Sequence, residues 1–242
     1  QMAANCGLDV VICADKVRKA AATLAKQYKA KATTDWAEAL EHPDVDIVLI
    51  ATPTPTHATL VQAAAKAGKH IFCEKPFCRT VADCRKAIAA AEKAKVKLFV
   101  GHVVRYFREF EAMKAQIESG VIGEPGFVKL YRGGIFPQGA GKWFRDYDQS
   151  GGVTMDSMIH DLDWLRYAFG DPERIFCQRL MRTKPEPMDY AQATVRMKNG
   201  MIANVIGTWA HPAGFRVKSE ICGSQGLLQF DSADTSISNM MR

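Results

Sequence analysis

VDIVLIATPTPTHATLVQAAAKAGKHIFCEKP, residues 45–76, decides the fold class. It opens on a nearly continuous apolar run, Val45 to Ala51, the signature of a strand buried on both faces. From Thr56 to Ala67 the apolar residues fall at helical spacing, and Gly68 supplies the stop. His70 to Cys73 then returns to strand. The flanking sequence repeats the unit. On the N-terminal side, Leu8 to Ala14 is a buried strand. Lys16 to Tyr28 carries Val17, Ala20, Ala21, Leu24 and Ala25 at helical spacing, and Asp35 to Leu40 is a short helix. On the C-terminal side, Thr80 to Lys95 is an Ala-rich helix with Thr80 as N-cap, and Lys97 to Gly101 is a fourth strand. Strand and helix alternating over short links predict an α/β domain, a parallel sheet with helices on both faces.

Beyond about residue 103 the pattern changes. Phe110 to Ser119 and Met155 to Phe169 read as helices, the latter stopped by Gly170. Phe127–Gly134, Arg174–Met181, Ala191–Met197, Met201–Trp209, Val217–Cys222 and Leu227–Phe230 read as strands. Asn199-Gly200 marks a tight hairpin. Hairpin-linked strands imply an open antiparallel sheet with helices on one face. The expected organisation is therefore an α/β domain over 1–103 and an α+β domain over 104–242.

Composition bounds the function. The 242 residues are 48% hydrophobic and 24% charged, which is ordinary globular usage. The formal net charge of +6 is spread along the chain, so it reads as a solvated surface and excludes a nucleic-acid footprint. Apolar runs fall far short of the ~18 residues a membrane helix needs. Seven cysteines, an odd number with no C-x-x-C, and no secretory leader read as reduced thiols in a cytoplasmic protein.

Four places carry candidate chemistry. Asp15 follows an apolar strand and precedes a helix. It reads either as a helix cap or as an acceptor for ribose hydroxyls at a strand's carboxyl end. Ala51–His57 is a rigid loop with three threonines, either a capped turn or a cofactor lining. Glu74-Lys75-Pro76 is either a solvated ion pair or a lysine aimed at a substrate oxygen, with Pro76 restricting Lys75 to extended geometry. In Gly151-Gly152-Val153-Thr154-Met155-Asp156-Ser157-Met158-Ile159-His160-Asp161-Leu162-Asp163, Asp156 and His160 are four apart, on one face of a single helix. A carboxylate there can orient an imidazole and tune it toward neutrality. A metal reading lacks a third ligand, and no metal is expected.

Together these segments resemble the Gfo/Idh/MocA oxidoreductase family. Gly68–Pro76, Gly101-His102-Val103-Val104-Arg105-Tyr106, Gly120–Pro125 and Gly151–Asp163 stand in the family's order. The resemblance implies a Rossmann domain that binds nicotinamide dinucleotide. It also implies a sheet domain through which homo-oligomers form. The implied reaction is hydride transfer between a CH–OH carbon of a sugar, cyclitol or polyol and the nicotinamide. In it Lys75 hydrogen-bonds the reacting oxygen, His160 takes the hydroxyl proton, and Asp156 orients His160 or the sugar. Asp15 reads the adenosine ribose and favours NAD, with NADP left open by Lys16 and Arg18. Thr52, Pro53, His57 and Glu74 line the cofactor. Arg105, Tyr106, Trp143 and Asp163 contact the substrate. The alternative is a non-catalytic sugar- or dinucleotide-binding regulatory homologue.

One departure stands at the front. The family begins with a strand and a G-x-G-x-x-G turn that holds the pyrophosphate on backbone amides. Here Gln1 to Cys6 reads as the end of the helix after that turn, so roughly 25 residues of a ~30-residue unit are expected to precede it. The sheet domain is likewise expected to continue past Asp231. The chain reads as a piece of a longer enzyme, truncated at both ends.

Overall fold

A computed structural model describes residues 6–138, 140–182, 184, 187–212, 214–234 and 239–241. Two compact units meet in sequence between Gly101 and His102.

In the first unit, strand β1 (Ile12–Ala14) pairs in parallel with β2 (Lys31–Thr33), with helix α1 (Arg18–Tyr28) between them. After helix α2 (Trp36–Glu41), strands β3 (Ile47–Ile50), β4 (His70–Glu74) and β5 (Leu98–Gly101) form a parallel three-stranded sheet in that order. Helices α3 (His57–Lys66) and α4 (Val81–Lys93) make the crossovers. The capping residues act locally. Thr80 Oγ accepts the Asp83 N–H at 3.1 Å, and Asp35 Oδ1 accepts the Ala37 N–H at 2.9 Å. The core joins Ile50, Ile71 and Cys73 of the sheet to Val61, Ala64, Ala65 and Ala87 of the helices. Small side chains on α3 and α4 let the helices sit close to the strands.

Two expectations change here. The Leu8–Ala14 run is strand only from Ile12, and β2 has no apolar run to announce it, being Lys-Ala-Thr held by its register with β1. The β3 run was expected to be buried on both faces, yet Ile47 is 48% and Leu49 56% exposed. Among the described residues β3 is hydrogen-bonded to β4 alone.

The second unit is a seven-stranded sheet with helices on one face. After helix α5 (Arg108–Glu118) come β6 (Pro125–Gly133), short helices α6 (Tyr147–Ser150) and α7 (Gly152–Asp156), and the longer α8 (Met158–Phe169). Then follow β7 (Pro172–Arg182), β8 (Met188–Met197), β9 (Ile202–Thr208), β10 (Arg216–Gly223), β11 (Leu227–Asp231) and β12 (Asn239–Met241). The spatial order is β12-β11-β10-β6-β9-β8-β7. Alternation is clean. Ala191, Ala193, Val195 and Met197 on β8 are buried, as are Ala203 and Val205 on β9 and Val128 and Leu130 on β6. They pack under Phe110, Met113, Met158, Trp164 and Leu165. Phe110 and Trp164 meet edge to face at 5.3 Å. Gly207 on β9 permits the approach of α8, because a Cβ there would lie 2.2 Å from Met158 Cγ.

Two details differ from the sequence reading. The sheet is mixed, since β6 and β9 run parallel while every other described neighbour pair is antiparallel. The β8–β9 hairpin does form at Asn199-Gly200, with Met197 N–H on Met201 O at 2.9 Å. It delivers β9 alongside β6 after a long crossover, so hairpin signals alone could not show that pairing. The expected single helix over Met155–Phe169 is broken at Ser157 (φ −103°, ψ −54°), so Asp156 ends α7 and His160 lies in α8.

At the other side of the sheet, Arg216 holds Asp231 through two bonds of 2.9 and 2.6 Å, with Lys218 at 3.2 Å. The Arg216 hydrogen bond keeps the Asp231 carboxyl well below its usual range. A carboxyl lowered in the folded state adds stability above its unfolded value of about 4, and that stability is lost as pH falls toward the folded value. Asp231→Asn is therefore expected to flatten the acid side of the stability profile of the complete protein. Urea midpoints between pH 5 and 2 check this. A slope identical to the parent chain's overturns it.

Candidate functional site

In the first unit the candidate residues follow the carboxyl ends of β1, β3 and β4. Asp15 follows β1 directly. It is exposed, and its Oδ1 accepts the Val17 N–H at 2.7 Å, an Asx turn leading into α1. After β3, Pro53 leads into a 3₁₀ turn, Thr54–Thr56, and the hydroxyls of Thr52 before it and Thr56 at its end lie 2.6 Å apart. His57 opens α3 and is 1% exposed. Its Nε2 lies 2.7 Å from Thr52 O and its Nδ1 3.0 Å from Pro76 O. The ring therefore points into the protein and ties the turn after β3 to the turn after β4. Any influence of His57 on the strand ends passes through those two loops.

That second turn holds Glu74, Lys75 and Pro76. Glu74 Oε2 accepts the Lys75 N–H at 3.2 Å, and the Lys75–Pro76 peptide is cis. Lys75 is half-buried. The neighbouring thiols are unsuited to nucleophilic work. Burial pushes both Cys73 and Cys78 up to about 12.

In the second unit, Asp156 and His160 flank the break at Ser157, and both are half-buried. The acids that follow them are engaged. Asp161 is buried and takes two bonds from Arg132 on β6, at 2.9 and 2.8 Å. Burial pushes its carboxyl up, and the Arg132 guanidinium opposes that. Asp163 takes two bonds from Arg105, at 2.7 and 2.5 Å, and these hold the Arg105 guanidinium above its usual value. His102 Nδ1 stands 3.6 Å from the same Asp163 carboxylate. Two residues read as substrate contacts thus bind each other. Tyr106 is 56% exposed, and the Trp143 ring packs tilted against Phe144, centroids 4.2 Å apart.

Sequence reasoning missed Arg132, Arg179 and Asp189. Their partners lie on other elements, and nothing in the local pattern marks them. Among the described residues there is no group of three or more His, Cys, Asp or Glu able to hold a metal ion, and no helix long and apolar enough to cross a membrane.

Residues 2–102 match the family described as "Oxidoreductase family, NAD-binding Rossmann fold", and residues 110–229 match the GFO/IDH/MocA C-terminal domain. The chain belongs to the Gfo/Idh/MocA family. Within that family it is 34% identical over 209 residues to the myo-inositol 2-dehydrogenase of Thermotoga maritima, covering 84% of this chain and 61% of that protein. It is 31% identical over 234 residues to the inositol 2-dehydrogenase of Acidothermus cellulolyticus, covering 93% of this chain and 66% of the other. The crystal structure of a probable dehydrogenase from Thermotoga maritima superposes with a TM-score of 0.84 at 29% identity, over 100% of this chain and 77% of that one. The chain thus spans about three fifths of the first of these curated Gfo/Idh/MocA relatives.

Proposed function

We propose that this chain is part of an NAD-dependent dehydrogenase that oxidises a CH–OH carbon of a cyclitol, sugar or related polyol. The observation that carries the reading is the family match spanning both units, with Lys75, Asp156 and His160 standing in the matched segments.

The residues fit the cofactor. An exposed carboxylate at the end of β1, a paired Thr52–Thr56 hydroxyl loop and the Glu74 turn are the polar groups a dinucleotide meets at strand ends. Asp15, Thr52, Pro53 and Glu74 would hold it, with His57 fixing the loops. NAD supplies the acceptor for the hydride when bound. Lys75 donates a hydrogen bond to the reacting oxygen and favours loss of the hydroxyl proton. His160 takes that proton, and Asp156 orients His160 or the sugar. Arg105 and Asp163, bound to each other, would border the substrate, with Tyr106 and Trp143 as further contacts.

The open face of the sheet goes to a second copy of the chain. Phe176 and Leu180 on β7 lie on the side away from the helices, at 65% and 58% exposure. All seven cysteines are unpaired, which suits the cytoplasm.

The test is to assay the complete protein with NAD against inositols, sugars and polyols, following NADH absorbance. Turnover of at least one substrate is expected, with NAD preferred over NADP. Asp15→Ser should raise the NADP-to-NAD ratio of kcat/KM by about tenfold or more, because a carboxylate facing a 2′-phosphate is a like-charge contact. An absence of turnover across the panel by a protein that binds NAD overturns the dehydrogenase reading. An unmoved ratio overturns the role of Asp15.

A further inference from the structure

Helices α6 and α7 have four and five residues, too few to hold themselves in place. The edge of the sheet fixes them. Asp189 on β8 is 1% exposed, and its Oδ2 accepts the Val153 N–H of α7 at 2.8 Å. The same carboxylate takes both arms of Arg179 from β7, Nη2 on Oδ2 at 2.7 Å and Nε on Oδ1 at 2.9 Å. The Arg179 guanidinium lies 3.9 Å over the ring of Tyr147 in α6. One ion pair therefore grips both sides of the Gly151-Gly152 turn. Gly152 completes the seat. Its φ is +65°, and a Cβ there would lie 2.2 Å from Arg179 Nη2 and 2.2 Å from Asp189 Oδ2.

From this anchor a chain of hydrogen bonds runs to His160. Val153 N–H is on Asp189. Ser157 N–H is on Val153 O at 2.9 Å, and His160 N–H is on Ser157 O at 3.2 Å. A second path closes the ring, because Trp209 Nε1–H donates to Ser157 Oγ at 3.3 Å while Trp209 N–H donates to Asp189 O at 2.7 Å. The break at Ser157 is thus clamped from Asp189 by two routes.

We infer that Asp189 and Arg179 are positioning residues for Asp156 and His160, an inference that rests on the proton-handling role proposed above. Asp189 sets where α7 begins and so where Asp156 emerges three residues later. Through Val153 and Ser157 it also sets the first turn of α8. Groups that orient catalytic side chains in this way commonly change rate by an order of magnitude or more when removed, because small displacements of the reacting groups are costly.

The test uses the complete protein with Asp189→Asn, Arg179→Gln and His160→Ala, alone and in pairs. Asn keeps the shape of Asp189 but loses the bidentate grip on Arg179. Asp189→Asn and Arg179→Gln are each expected to lower kcat by about tenfold or more while leaving KM for NAD in place. Added to His160→Ala, Asp189→Asn should cost much less than it does alone, because what it supplies through His160 is already lost. If both variants keep kcat while His160→Ala loses it, the positioning role falls and the dehydrogenase reading stands. If the losses multiply in the double variant, Asp189 is only structural and the inference also falls. If His160→Ala itself turns over normally, the proton-handling reading falls and takes this inference with it. Should Asp189→Asn fail to fold, Arg179→Gln decides alone by the same criteria, its side chain being 20% exposed.

Discussion

His160→Ala in the complete protein is expected to lower kcat by about 10²- to 10⁴-fold, the usual worth of a positioned general base. Lys75→Ala is expected to cost about 10²-fold or more, since it removes the donor proposed for the reacting oxygen. The proposed reaction calls for both. The hydroxyl proton must leave the oxygen as hydride leaves the carbon that bears it, and neither step is easy at neutral pH without an acceptor for the proton. An imidazole on a clamped helix start is suited to that, and a half-buried ammonium on a tied turn is suited to polarise the oxygen. Added imidazole should restore part of the His160→Ala rate and none of the Lys75→Ala rate, which separates a lost base from a damaged fold. Near-normal turnover in both variants sinks the role assignment.

The alternation that reveals the first unit is legible because its strands are apolar and its helices periodic. The parts that escape reading are those held by pairing alone. Lys31–Thr33 is a strand only through its register with β1. The β6–β9 pairing joins strands far apart in sequence, so turn chemistry says nothing of it. The break at Ser157 was hidden for a similar reason. The apolar spacing from Met155 to Phe169 suits one helix, yet its first turn is seated by Asp189 from another strand. The candidate site divides along the same line. The glycine pair and the Asp156–His160 spacing are local and stand out. Asp161 and Asp163 are each paired with an arginine 29 or 58 residues away, and those separations leave no mark in a local pattern.

The Arg132–Asp161 pair is where that pairing should matter most for stability. Arg132 sits on the helix-covered face of β6, in the row of Val128 and Leu130, and is 5% exposed. Asp161 on α8 is fully buried. Arg132→Met is expected to destabilise the complete protein by about 3–5 kcal/mol, because it leaves a buried carboxylate without its cation. The double variant Arg132→Met/Asp161→Leu should recover much of that loss, since an apolar pair of similar volume carries no unpaired charge. The pH dependence has a definite sign. Burial raises the Asp161 carboxyl, and removing Arg132 removes the group that opposes the rise. A carboxyl raised in the folded state destabilises most when ionised, so the deficit of Arg132→Met should be full near neutral pH and narrow as pH falls through the raised value. Urea unfolding at pH 7.5 and at pH 5 reads both effects. A deficit under about 1 kcal/mol, or one that widens in acid, would mean that the pair is not what seats α8 on the sheet, and that apolar packing around Trp164 and Met158 holds it without help.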